Sequence, residues 1–272
     1  KGERVNSLER KMLELMRRGR EEYGVVSVKA EFEAEGTRVD ELLRLLDIAG
    51  RANLHLTVKI GGCEAIRDLL EAKQFGARFI VAPMIESTYA LSKFIAAKDL
   101  VFPSSDTWEV DHLFNIETIT GAAIAPDLVN IAAHPEGLAG VVFGRSDYVG
   151  SLGRVHDAIE DMDVIDKVCE IAALIRERNL DLVVGGGVSI DSLPSLKRIR
   201  DTHLSRFETR KVVFDAAAVD LPDIAEGLLN AVHFELLWLL NKRDYYGNIS
   251  KEDAKRIDKL ERRWNVLSRD VL

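Results

Sequence analysis

The feature that most constrains this chain is a repeated alternation. Short, continuously apolar runs follow one another, and most are separated by segments with apolar residues at helical spacing. Strands apolar on both faces belong to a parallel sheet covered by helices. Apolar runs fall at 25–28, 54–60, 79–84, 100–102, 112–116, 138–143, 182–184 and 211–214. Helical patterns occupy 39–50, 64–74, 87–97, 164–178 and 189–201, with 121–133 readable as helix or loop. About eight βα repeats in a chain of 272 residues favour a closed (β/α)8 TIM barrel of the α/β class over an open doubly wound sheet.

Two helical segments flank this rhythm. Residues 5–22 form an amphipathic helix ahead of the first strand. Residues 224–240 are apolar over a wide face, and Ser250 can cap a second helix that runs to 267. The expected division is therefore a barrel domain over 1–220, including the N-terminal helix, and a C-terminal helical extension over 221–272. That extension reads either as a barrel-closing helix with a surface helix or as an oligomer interface.

Composition narrows the function classes. With 45 Asp and Glu against 37 Lys and Arg the net charge is -8, which argues against broad binding of a nucleic-acid backbone. No apolar run reaches the roughly 18 residues of a membrane span, and the N-terminus has no signal-peptide pattern. Two isolated cysteines, Cys63 and Cys169, suggest a reducing compartment, most simply the cytoplasm. The six histidines form no zinc pattern, and neither a GxSxG elbow nor a Walker A loop is present.

Active sites of such barrels sit at the C-terminal strand ends, so the polar residues that follow each apolar run are the candidates. These are Lys29, Glu31 and Glu33; Lys59; Glu86; Ser104, Ser105 and Asp106; Glu117; Arg145, Ser146 and Asp147; Gly185, Gly186 and Gly187; and Asp215. Glu117 and Asp147 lie one βα unit apart, so adjacent strands would hold them side by side. Two carboxylates with water and a substrate oxygen suit Mg2+ or Mn2+; alternatively they are helix-capping or loop acids. The backbone of Gly185, Gly186 and Gly187 could bind a carboxylate or phosphate, or could be a tight turn.

Three segments carry a family resemblance: FGARFIVAPMIES at 75–87, FNIETITG at 114–121 and LAGVVFGRSDYVGSLG at 138–153. In order and spacing they resemble the HpcH/HpaI aldolase and citrate lyase β-subunit superfamily. The resemblance implies a (β/α)8 barrel in which Glu117 and Asp147 hold a divalent metal ion. It implies chemistry on the enolate of pyruvate, oxaloacetate or a related 2-oxo acid, whose charge the ion and a nearby cation neutralise. It also implies a homo-oligomer, a trimer or hexamer that exchanges C-terminal helices.

The sequence departs from that family twice. Lys59 stands where the family usually has an arginine facing the substrate keto group, and the stretch after the first strand has Glu31 and Glu33 but no histidine. The expected function is thus a metal-dependent carbon–carbon lyase. Lys59 would steady the enolate, Glu31 or Glu33 would move the proton, and Ser146, Gly185, Gly186, Gly187 and Glu86 would bind substrate. A citrate-lyase-type CoA-thioester lyase, a Schiff-base aldolase through Lys59 or Lys29, and an inactive scaffold remain as alternatives.

Overall fold

The computed structural model describes residues 6–103 and 109–269. Eight strands close a barrel in chain order: β1 (Val25–Glu31), β2 (His55–Lys59), β3 (Phe79–Ala82), β4 (Asp111–Ile116), β5 (Gly140–Gly144), β6 (Asp181–Gly185), β7 (Arg206–Glu208) and β8 (Val212–Asp215). Each neighbouring pair from β1 to β7 is parallel, whereas β8 is antiparallel to both β7 and β1.

The strand period of two explains the layers. Inward residues Phe79, Val81, Leu113, Val142 and Val183 fill the barrel as one apolar cluster. Outward residues such as Val28, Val58, Ile80, Phe114, Val141 and Val184 are buried beneath the helices. Those helices are α2 (Val39–Ala52), α3 (Ile66–Gln74), α4 (Thr88–Val101), α5 (Ile119–Ala123), α6 (Ala125–Ala132), α7 (Arg145–Ser151), α8 (Met162–Glu177) and α9 (Leu193–Thr202). Ahead of the barrel, α1 (Ser7–Glu22) starts where Asn6 accepts a hydrogen bond from the Glu9 amide at 2.9 Å. Its buried Met12, Leu13 and Met16 help pack it against α2 and the final helix, α10 (Ile224–Arg269).

Four expectations change. The apolar run at 100–102 is the end of α4, not a strand. Leu91, Phe94, Ala97 and Val101 carry the helical spacing to that point, and Leu100 is 72% exposed. The missing strand is β7, whose three residues include two charged side chains; it is paired with β6 and folds into a hairpin with β8. The hairpin reverses β8, so Asp215 lies at the opposite end of the barrel from the C-terminal ends of β1 to β7. There its amide donates to the carbonyl of Gly24, just before β1. Finally, the second helix capped by Ser250 does not exist as a separate element, because α10 runs unbroken through Gly247 and Ser250. One interior glycine costs only about 1 kcal/mol, too little to end a long helix. Ser104, Ser105 and Asp106 lie outside the described residues.

From residue 248 to 264 every α10 side chain is exposed, so this half of the helix leaves the barrel. No helix among the described residues is long and apolar enough to cross a membrane.

These assignments predict opposite outcomes at two apolar positions. Phe114 is fully buried between β4 and the helices, and Phe114→Ala should cost about 3–5 kcal/mol of unfolding free energy. Leu100→Ala, on the outer surface of α4, should change it by no more than about 0.5 kcal/mol. Urea titration of both variants checks the pair.

Candidate active site

The C-terminal ends of the parallel strands open into a cavity of about 460 Å3. Its floor is the apolar cluster inside the barrel, and its walls begin one inward position higher. There Lys29 and Glu31 on β1, Lys59 on β2, Asn115 on β4 and Glu208 on β7 replace valine and phenylalanine.

These charges are interleaved. The Lys29 ammonium donates to Glu208 and lies 3.2 Å from Glu31. Burial alone would depress the Lys29 pKa, but the Glu208 and Glu31 carboxylates outweigh it and hold the group above its ordinary value. The Lys59 ammonium lies 3.1 Å from Glu33 and 3.4 Å from Glu117. Burial pushes Lys59 down and the Lys29 charge adds to that, yet Glu117 and Glu33 leave it above its usual value. Both lysines are therefore held as ammonium ions. Glu31 answers the same forces with the opposite sign: burial raises its pKa, Lys29 and Lys59 lower it, and the lowering wins.

Glu117, at the end of β4, is the most fixed acid of the site. Only 2% exposed, it accepts hydrogen bonds from the Met84 amide at 2.9 Å and from Asn115 Nδ2 at 2.6 Å. Met84 adopts a left-handed backbone with φ +47, uncommon for a side chain of this size, and that turn after β3 presents its amide to Glu117. The neighbouring strand end supplies Asp147, in the first turn of α7. Burial and the adjacent Glu117 carboxylate raise the Asp147 pKa, and Lys59 only partly offsets them. Gly144 makes room for this pairing, since a Cβ there would lie 2.8 Å from Glu117 Cβ.

Gly185, Gly186 and Gly187 follow β6 and line the same cavity with Ser146. Gly186 has φ +81, and a Cβ on it would meet the Ser146 amide nitrogen at 2.4 Å. Close backbone approach to the start of α7 thus requires glycine here. Arg145 turns the other way. It is fully buried under the glycine loop, paired with Glu160 at 3.0 Å, and is not a cavity residue.

Of the residues expected from the sequence, the structure gathers Lys59, Glu31, Glu33, Ser146, Gly185, Gly186, Gly187, Glu117 and Asp147 around one cavity. Glu86 is not among them. After β3 the chain turns so that Ile85 enters the core, and exposed Glu86 accepts a hydrogen bond from the Thr118 hydroxyl instead. Asn115, Glu208, Arg210 and Glu235 also line the cavity. Asn115 was legible, since it shares a strand face with Glu117 two residues on. Glu208 and Arg210 belong to the hairpin, and Glu235 to α10; no local pattern marked them.

The donor chemistry fits a hard divalent cation. Glu117 and Asp147 offer carboxylate oxygens at one point, Lys59 relieves their mutual repulsion only in part, and the buried Asn115 Oδ1 has no hydrogen-bond partner among the described residues. Among the described residues no group of three His, Cys, Asp or Glu side chains could hold a metal ion, so protein ligands alone would leave coordination positions for water and substrate.

No family model matches the chain, and no curated protein matches it at the sequence level. Solved structures do match. A HpcH/HpaI aldolase from Desulfitobacterium hafniense aligns with TM-score 0.57 and 13% identity over 75% of this chain and 83% of that one. A HpcH/HpaI aldolase/citrate lyase family protein from Burkholderia cenocepacia aligns with TM-score 0.56 and 16% identity, covering 80% and 98%. Haloferax volcanii malate synthase, in a complex with magnesium and glyoxylate, aligns with TM-score 0.58 and 11% identity, covering 83% and 72%. The chain therefore shares the (β/α)8 barrel fold of HpcH/HpaI aldolase family proteins, the family that its three motifs resemble.

Proposed function

We propose that this protein is a divalent-metal-dependent carbon–carbon lyase that cleaves or condenses pyruvate, oxaloacetate or a related 2-oxo acid. The observation that carries the reading is the Glu117–Asp147 pair, set on neighbouring strand ends above an apolar floor. The cavity lining holds three cations, Lys29, Lys59 and Arg210, against six carboxyls. An anionic 2-oxo acid would be repelled from such a lining unless a cation entered with it.

Glu117 and Asp147 would hold Mg2+ or Mn2+. When bound, the ion supplies Lewis-acid polarisation of the substrate's oxygens. The chain does the rest. Lys59 stands beside Glu117 as a fixed ammonium that stabilises charge developing on the keto oxygen. The Gly185–Gly186–Gly187 backbone and Ser146 bind and orient the substrate's carboxylate, and the apolar floor below excludes water.

The Schiff-base alternative has less support, because an amine must lose its proton to attack a carbonyl and both lysines are held charged by paired carboxylates. We also propose that the protein is a homo-oligomer. Leu229, Val232, Leu236 and Leu239 are exposed at spacings of three and four along α10, the spacing of a helix seam. The trimer or hexamer implied by the resemblance fits this stripe. The free thiols Cys63 and Cys169 fit the cytoplasm.

Four outcomes test these statements. Glu117→Gln and Asp147→Asn should each abolish ion-dependent cleavage and weaken Mn2+ binding measured by electron paramagnetic resonance. Wild-type turnover by both in chelated buffer would overturn the site. Because the Asp147 pKa is raised, protons should compete with Mn2+ from a pH above the ordinary aspartate range, so wild-type affinity should fall on acidification earlier than for a solvent-exposed aspartate.

Lys59→Met should lower kcat by roughly 100- to 1000-fold, the size expected for one preorganised charge contact, while Lys59→Arg keeps measurable activity. A borohydride-trapped pyruvate adduct on Lys59 with an inactive Arg variant would replace this mechanism by imine chemistry. In light scattering the full chain should be an oligomer that Leu236→Glu with Leu239→Glu breaks into smaller species. A stable full-length monomer at micromolar concentration would overturn the interface.

A further inference from the structure

Bond-making or bond-breaking next to a carbonyl needs a group that accepts a proton and returns it. A carboxylate committed to cations does this poorly, because taking the proton means giving up those contacts. Most acids of the cavity are clamped or otherwise committed. Glu31 lies between Lys29 at 3.2 Å and Arg210 at 3.9 Å, and Glu33 lies 3.1 Å from Lys59. Glu208 holds the Lys29 ammonium, Glu117 takes three donors, and Asp147 is a candidate cation ligand.

Glu235 is different. It lies on α10 where that helix passes the mouth of the barrel, and it lines the cavity with Val232 one turn earlier. The carboxyl is half-buried and makes no hydrogen bond or ion pair within the described residues. Arg210 and Lys211 in the β7–β8 turn face it, as do Glu35 and Glu31 from the β1 side. Burial raises its pKa, the two cations oppose that, the two acids add to it, and the group stands above the ordinary glutamate value.

We propose that Glu235 is a catalytic residue, the proton carrier of this cavity, supplied by the C-terminal helix; a 4-hydroxy-2-oxo acid is one substrate of the lyase reading. The proposal rests on the lyase reading above. In cleavage, the Glu235 carboxylate takes the proton of the C4 hydroxyl. The O–H pair becomes the second bond of the departing aldehyde carbonyl, and the C3–C4 bond breaks. Its electrons form the C2–C3 double bond of the enolate as the C2 keto π pair moves to oxygen. The Glu235 carboxylic acid then returns the proton to C3, giving the 2-oxo acid. One proton is moved, nothing is oxidised or reduced, and Glu235 ends as it began.

The test is deuterium exchange of the pyruvate methyl group in D2O with Mn2+ present, followed by proton NMR. The wild-type chain should exchange, and Glu235→Gln should exchange at least about 100-fold more slowly. In the variant, Mn2+ affinity and melting temperature should be unchanged, and Glu235→Asp should recover part of the rate. In the metal-free chain, the carbon-13 carboxyl signal that disappears in Glu235→Gln should titrate above the ordinary glutamate range. Exchange at the wild-type rate by the Mn2+-loaded Gln variant would overturn the Glu235 assignment and leave the lyase reading intact. A wild-type chain that binds Mn2+ but exchanges no deuterium and cleaves no 2-oxo acid would overturn both.

Discussion

Two buried ammonium groups hold the working end of this barrel together. Lys29 and Lys59 rise from adjacent strands into a ring of carboxylates, and each bridges acids that would otherwise repel. Burying either charge alone would cost several kcal/mol, and that penalty is offset only because carboxylate oxygens stand within hydrogen-bonding range. The ring spans the barrel: Lys29 ties β1 to β7, and Lys59 ties β2 to β4. Removing one lysine therefore both unpairs buried acids and changes the electrostatics of the cavity.

The interleaving also sorts the acids by role. Glu31, beside Lys29 and near Lys59, is held ionised with its pKa lowered. The Glu117–Asp147 pair has only part of a cation between its members, since Lys59 reaches Glu117 at 3.4 Å and Asp147 keeps a raised pKa. That imbalance is the chemical ground on which the pair is proposed to take a cation. Glu235, beyond the ring, has no bonded partner within the described residues and is free to change protonation.

The reversed eighth strand decides what surrounds the mouth. A parallel β8 would begin at the bottom and end at the cavity, and Asp215 would then stand in the site. The three-residue turn between β7 and β8 instead places Thr209 and Arg210 on the cavity wall and carries Asp215 away to the floor end. The chain then leaves β8 at the bottom, and α10 must climb the outside of the barrel past α1. Its length brings Val232 and Glu235 to the cavity and leaves residues 248–264 exposed.

Seven of the eight strands fall within or over apolar runs visible in the sequence, because a strand between the barrel interior and the covering helices is largely apolar on both faces. Glu117, Asp147, Lys59 and the three glycines were legible for the same reason: a polar residue that directly follows such a run stands at a strand end. Asn115 was not among the expected residues, although the period of two places it on the face of Glu117. What could not be read locally was anything set by pairing across the barrel. β7 is a strand because β6 and β8 hydrogen-bond to it, and its Glu208 is buried because Lys29 neutralises it. Leu100–Phe102 lacks such partners and stays with the helix. Glu86 looked equivalent to the other strand-end acids until the turn at Met84 and Ile85 carried it outside. The sequence by itself determined the barrel and the residues at its strand ends, since hydrophobic periodicity is a local property. Only the tertiary structure decided which charges meet, which strand runs backwards and which helix reaches the mouth, since those depend on groups from different elements, such as Lys29 and Glu208, sharing one buried space.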